Sequence, residues 1–210
     1  MRTNKPVLAI LGAGKFGIVL AQLAIKAGYE VYISGSGNPN KIALSIKVIV
    51  TGAVAVSSAE AIKKADIVIL ALPLSKYKTL DPGLLANKLV VDGMNYWWEV
   101  DGDMPDLANA PSSSEMVQKF LINSHIVKAL SHMGYHDLYD KPQPSGVPGR
   151  KAIAIAGDHK KDVEVVSDIV DDLGFDPVYI GDLSSGKYLE PGMPLFGSSV
   201  SKDKVIDILK

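Results

Sequence analysis

The chain has 210 residues, 22 basic side chains against 23 acidic, and a net charge of −1 with histidine neutral. That balance leaves no electrostatic footprint for a nucleic-acid partner, and the absence of cysteine removes disulfides, thiolate chemistry and cysteine-held metals. Hydrophobic residues, at 47%, supply the core of one domain, or of one domain with a small extension.

The first apolar run is broken by glycine after five residues and followed by Lys15, so a signal peptide is not expected. The most apolar later region, 42–56, contains Lys47 and Gly52 and is too short to cross a bilayer. A cytoplasmic protein with no membrane partner is the expectation. Apolar runs then alternate with helical patterns. Val7 to Leu11 reads as a strand. Lys15 to about Ala27 reads as a helix, with Phe16, Val19, Leu20, Leu23 and Ala27 at helical spacing and Gly28 placed as a terminating glycine. Glu30 to Ile33 is a second strand, Asn38-Pro39 opens another helix, and a short strand falls near Ala53 to Val56. Ser57 to Glu60 forms a capping box, with Glu60 reaching back to the Ser57 amide, for a helix ending near Ala65.

Asp66 to Ala71 is apolar after its aspartate, as a strand buried on both faces should be. Lys88 to Asp92 is the next strand. Ser112 to Glu115 caps a helix, and a strand begins at His125. Tyr139 to Arg150, with three prolines and two glycines, is a loop. A strand from Lys151, a helix from Lys160 to Leu173, a strand ending at Gly181 and a short terminal helix complete the chain. The alternation predicts an α/β protein, a Rossmann-type doubly wound and mainly parallel sheet with a small C-terminal α/β extension. The expected division is 1–138 and 139–210.

Between the first strand and its helix stand Gly12, Gly14 and Gly17. A lone G-x-G-x-x-G means little, but here it lies inside a strand-helix-strand unit, the context of a dinucleotide site. Gly12 permits a tight turn, Gly14 lets a pyrophosphate approach the backbone, and Gly17 lets helix and strand sit close. The amides of Lys15 and Phe16 then face the phosphates at the positive end of the helix. The bland reading is a glycine-rich turn that binds no dinucleotide. An NAD-binding chain usually carries an acid at the end of the second strand, about 20 residues on. Here that end reads Ser34, Gly35, Ser36, with Lys41 beyond, and Glu30 comes too early. Hydroxyls, amides and a lysine suit a 2′-phosphate, favouring NADP while leaving NAD open; the bland reading is a solvated turn. Ala71, Leu72 and Pro73, at the end of the next buried strand, should run along the ribose and nicotinamide half, or simply end that strand.

The order of "ILGAGKFG", "EVYISGSGNP", "VILALP", "LVVDGMN", the serine-capped helix before "HIVKAL", and "DLGFDPVYIGDL" followed by "YLEP" resembles the coenzyme F-420-dependent NADP oxidoreductases and their bacterial relatives. The resemblance covers about residues 5 to 191. It implies a Rossmann domain with a small C-terminal extension, NADP across the strand ends, and hydride exchange with a flavin or the deazaflavin F-420. Gly35 or Gly37 stands where that family often has an arginine.

Two residues are the candidates for a part in the chemistry. Asn95 follows the strand ending at Asp92 and is suited to bind the carboxamide or the acceptor. His132 lies in the polar stretch after the strand beginning at His125, with His136 beside it, and either is suited to hydrogen-bond a reduced acceptor. The pair is spaced i, i+4, but Gly134 between them argues against a helix, and no metal site is expected. Trp97 and Trp98 suit a ring-stacking wall, a core or a subunit contact, and the acids that follow suit a solvated loop. The leading expectation is an NADP(H)-dependent oxidoreductase passing hydride to a small-molecule flavin- or deazaflavin-like acceptor, as a homodimer. The rivals are a small-molecule dehydrogenase or imine reductase with His132 or Lys128 as proton donor, and a dinucleotide sensor without chemistry.

Overall fold

The computed structural model describes residues 5–108 and 110–210; the basic start of the chain, residues 1–4, lies outside it. Eight strands form one sheet: β1 (Leu8–Leu11), β2 (Val31–Ser34), β3 (Val54–Ala55), β4 (Ile67–Leu70), β5 (Leu89–Asp92), β6 (His125–Lys128), β7 (Ala152–Gly157) and β8 (Asp176–Gly181). Their order is β3-β2-β1-β4-β5-β6-β7-β8. The first six are parallel. β7 then runs antiparallel to β6, and β8 runs parallel to β7. The expected α/β architecture is the observed one, and its last two strands continue the same sheet upside down.

The helices are α1 (Lys15–Lys26), α2 (Asn40–Ile49), α3 (Ser58–Lys64), α4 (Pro82–Leu85), α5 (Trp98–Asp101), α6 (Pro105–Ala108), α7 (Ser113–Phe120), α8 (Tyr135–Asp140), α9 (Lys160–Asp172) and α10 (Lys202–Ile208). They cover both faces. Leu8 and Ile10 of β1 turn toward Val19, Leu20 and Leu23 of α1 and the apolar side of α9. Ala9 and Leu11 turn the other way, into the cluster holding Ala61 of α3 and Val117 of α7. Alternation of side chains along a strand produces these two layers, and because both are apolar the strands read as unbroken hydrophobic runs. A third, smaller cluster lies under β7 and β8, where Ala152, Ala154 and Val178 meet Val205 of α10.

The caps explain where the helices start. The Ser57 hydroxyl accepts from the Glu60 amide at 3.2 Å, but the Glu60 carboxylate does not return to the Ser57 amide: it faces Lys64, 3.6 Å away. Ser112 accepts from the Glu115 amide and donates to its carboxylate, at 3.2 and 2.9 Å. The expected loop begins only at Lys141, because α8 occupies Tyr135–Asp140. The division expected at 138/139 falls inside that helix. The loop is pinned by Arg150, which is 2% exposed. Its guanidinium meets the carboxylates of Asp171 and Asp176 at 2.5 and 3.0 Å, and its Nε donates to the Gln143 carbonyl at 2.9 Å.

Candidate dinucleotide site

Strand order reverses between β1 and β4, so the chain leaves these two strands on opposite faces and a crevice opens beyond their carboxyl ends. The glycine loop occupies it. Gly12 has φ +126°, and a Cβ there would stand 2.1 Å from the Ala71 carbonyl oxygen; no other residue fits. Its amide donates to the Ser34 carbonyl at 2.8 Å. A Cβ on Gly17 would stand 1.9 Å from the Gly12 oxygen. Gly14 differs from both. Its φ is −79°, within reach of any residue, and nothing lies within 4 Å of where its Cβ would be.

Gly14 therefore leaves open space directly before α1. That helix has no side-chain cap and no acid in its first turn. Its first i→i−4 bond runs from the Ile18 amide to the Gly14 carbonyl at 2.9 Å, so the Lys15, Phe16 and Gly17 amides have no acceptor within the helix. Free donors, the positive end of the helix dipole and an unfilled approach together fit a pyrophosphate.

At the end of β2 the sequence-predicted residues part company. Ser34, the last residue of β2, is buried and its hydroxyl pairs with that of Ser58 at 3.0 Å. Gly35 packs on the glycine loop, its Cβ position 3.7 Å from the Ala13 Cβ. Ser36 and Lys41 are exposed at the start of α2, where Asn38 accepts from the Asn40 amide at 2.9 Å and the first turn holds no acid. Glu30 precedes β2 and accepts from the Tyr32 hydroxyl at 2.7 Å, at the opposite end of that strand.

Beside the loop, the Ala71 amide donates to the Leu11 carbonyl at 2.8 Å. Leu72 is half-buried, and Pro73 is exposed and opens a 3-10 segment, Leu74–Thr79. The Phe16 ring lies on Gly93, after β5, whose Cβ position is 2.9 Å from the ring. Asn95 is buried. Its Nδ2 donates to the carbonyls of Ser131 and Leu189, at 2.8 and 3.3 Å, and its Oδ1 has no partner among the described residues. Trp97 and Trp98 are exposed rather than core, and Trp97 meets Phe196 with ring centroids 5.5 Å apart. Of the acids that follow, Asp101 accepts from the amides of Ser75 and Trp97. The Lys78 ammonium beside Asp106 holds that carboxyl below its ordinary range.

The two expected proton donors are both buried. His132 is 1% exposed. Its Nε2 accepts from the Ala154 amide of β7 at 3.0 Å, and burial pulls its pKa down to about 4, so the ring is neutral. It braces β7 against the tail, where its own carbonyl accepts from the Gly197 amide at 2.7 Å. Lys128 is 0% exposed. It donates to the Met94 carbonyl and pairs with Asp92 at 3.3 Å. His136, by contrast, is exposed on α8 with its ring 4.1 Å from that of Tyr135. The Lys15 ammonium lies 5.7 Å from that tyrosine ring. His132 and His136 thus belong to different elements.

Sequence reasoning missed the buried polar knot behind Asn95. Asp92 accepts from the Ser114 hydroxyl at 2.6 Å and from the Met94 amide at 3.0 Å, and faces Lys128 on the neighbouring strand. The signal was one charge of opposite sign at the end of each of two apolar runs. Two surface concavities, about 520 and 560 Å³, lie elsewhere, beside His125 and beside Tyr77.

Residues 7–96 match the family described as NADP oxidoreductase, coenzyme F420-dependent. Over 187 residues, 88% of this chain, the sequence is 26% identical to the metalloreductase STEAP3 of Rattus norvegicus, of which the match covers 36%. The chain spans 36–39% of the length of the curated relatives it matches. Among solved structures, the hypothetical protein SMa0349 from Sinorhizobium meliloti superposes with a TM-score of 0.82 at 26% identity, covering 95% of this chain and 97% of that one. A protein from Arthrobacter sp. FB24 assigned as an F420-dependent NADP reductase superposes with a TM-score of 0.72 at 20% identity, covering 87% and 88%. This last likeness is one of fold. The glycine loop, the second-strand turn and the Ala71–Pro73 ledge all fall inside the family match, and among the described residues no helix is long and apolar enough to cross a membrane.

Proposed function

We propose that the chain is an NADP(H)-dependent oxidoreductase passing hydride between nicotinamide and a flavin- or deazaflavin-like acceptor. The observation that carries the reading is the open space at Gly14 before an uncapped helix, between two glycines locked against backbone. Bound NADP supplies the hydride chemistry. The chain supplies grip and orientation. The amides at the start of α1 hold the pyrophosphate, and Ser36, Lys41 and the start of α2 hold the 2′-phosphate. Ala71 to Pro73 flank the ribose. The free Oδ1 of Asn95 accepts an N–H from the carboxamide or the acceptor. Holding two rings in contact removes the entropic part of the barrier, and no strong acid is needed for it. This suits a site whose candidate acids, His132 and Lys128, are sealed in the core. A dehydrogenase or imine reductase of small molecules would need one of them at the surface. The exposed Trp97, Trp98 and Val100 suit a contact with a second copy, and sedimentation tests that homodimer.

The test of the function is in two steps. NADPH and NADH are titrated against the chain by fluorescence, and the tighter one is then mixed with FMN, FAD and deazaflavin in stopped flow. The reading expects NADPH to bind more tightly and to be oxidised by at least one of these acceptors. Tight binding with complete inertness would point to a sensor, and no binding of either nucleotide would remove the proposal.

A further inference from the structure

At the other end of the sheet, three side chains that the redox reading does not use converge. His125 is the first residue of β6, His159 immediately precedes α9, and Asp162 lies in the first turn of α9. Their ligand atoms all lie within 4.8 Å of one another. The His125 Nδ1 stands 2.9 Å from the Asp162 carboxylate, and the two imidazole centroids are 5.0 Å apart. We propose that His125, His159 and Asp162 bind one divalent transition-metal ion of the zinc class.

Neutral imidazole nitrogens with one carboxylate oxygen make the donor set that zinc and its neighbours take, with bonds of about 2.0–2.2 Å. Donors on one such ion lie about 3–4 Å apart, so closing the site asks for side-chain movements on the order of 1 Å. The two histidines are exposed enough to make them, while Asp162, more buried, is the fixed point. An ion on the His125 Nδ1 takes the ring as its Nε2–H tautomer and replaces the Asp162 hydrogen bond with a shared metal bond. The concavity alongside, bordered by Asn87, Gln118, Asn123 and Asp158, leaves room for water on the open coordination positions.

The reversal of β7 creates this cluster. Because Gly157 pairs with Val127 in an antiparallel register, the turn after β7 returns to the amino end of β6. The glycine loop lies at the carboxyl ends of the parallel strands, so the ion would not meet the nucleotide. It would instead tie the parallel part of the sheet to the reversed pair β7–β8.

The test uses the tag-free, chelator-stripped full chain. Zn²⁺ is titrated calorimetrically, and Co²⁺ is substituted to read coordination from its visible absorption. The expected result is one ion per chain, a Co²⁺ spectrum of low coordination number, and an affinity that falls by more than about tenfold in H159A and in D162N. H136A, whose histidine lies on α8, should bind as the unmodified chain does, and NADPH affinity should not change with Zn²⁺. Since His159 and Asp162 are at the surface end of α9, circular dichroism of both variants separates loss of binding from loss of fold. Folded H159A and D162N binding with unreduced affinity, or no saturable binding to the unmodified chain, overturns the proposal.

Discussion

Replacing Gly14 by leucine isolates the phosphate cradle from the fold. The backbone there has φ −79° and ψ −176°, extended values that leucine adopts without strain, and a Cβ meets nothing within 4 Å. Loss of a good N-cap residue and the gain from a stiffer unfolded chain are each below about 1 kcal/mol and oppose one another. The melting temperature should therefore move by less than about 4 °C. Binding should respond differently. A side chain in the approach path denies the anion about two charge-assisted bonds from main-chain amides, each worth about 1.5–3 kcal/mol. The expected loss of about 3–6 kcal/mol is about 10²–10⁴-fold in the dissociation constant for NADPH. Fluorescence titration beside a thermal melt reads both quantities. Gly12→Ala is the contrast: a methyl group 2.1 Å from the Ala71 oxygen must displace backbone, so there stability should fall first. A folded Gly14→Leu chain that binds NADPH as tightly as the unmodified one would refute the pyrophosphate assignment.

Replacing Ser36 and Lys41 together by alanine should weaken NADPH binding by about fivefold, the scale of an exposed charge contact, and leave NADH unchanged; paired titrations read the difference. His132 has its pKa lowered to about 4 in the fold, so the unfolded chain takes up more protons below about pH 6.5, and stability falls as pH falls. Between pH 7 and 5 the loss should be about 2 kcal/mol, seen as a lower urea midpoint, and His132→Gln should flatten that slope. Arg150→Met leaves Asp171 and Asp176 without their buried cation, and should cost about 3 kcal/mol, a fall of about 6–12 °C in the thermal melt.

What could be read in the sequence was local. The glycine loop lies within one strand-helix unit, and the uninterrupted apolar run of β4 announces burial on both faces without reference to anything distant. The family resemblance rests on the same local motifs. The misreadings depend on partners far along the chain. Gly134 is not among them: it argues against a helix spanning both histidines, and it is the residue that precedes α8 and leaves His132 outside the helix. The fate of His132 is set by β7, whose Ala154 amide it accepts, 22 positions later. Asp92 and Lys128 meet because two parallel strands share a register, and His125 meets His159 because β7 turns over. Neither register nor strand direction is written in the hydrophobic pattern of one segment.

The segment after β8 has an effect on the order in which the molecule is completed. From Leu183 it runs back across α7, and places the Leu189 carbonyl on Asn95, the Glu190 carboxylate on the Ser113 amide and Phe196 on Trp97. A chain emerging from the ribosome has its glycine loop and α1 long before it has these contacts. The surroundings of Asn95 are therefore completed only after all eight strands have been made.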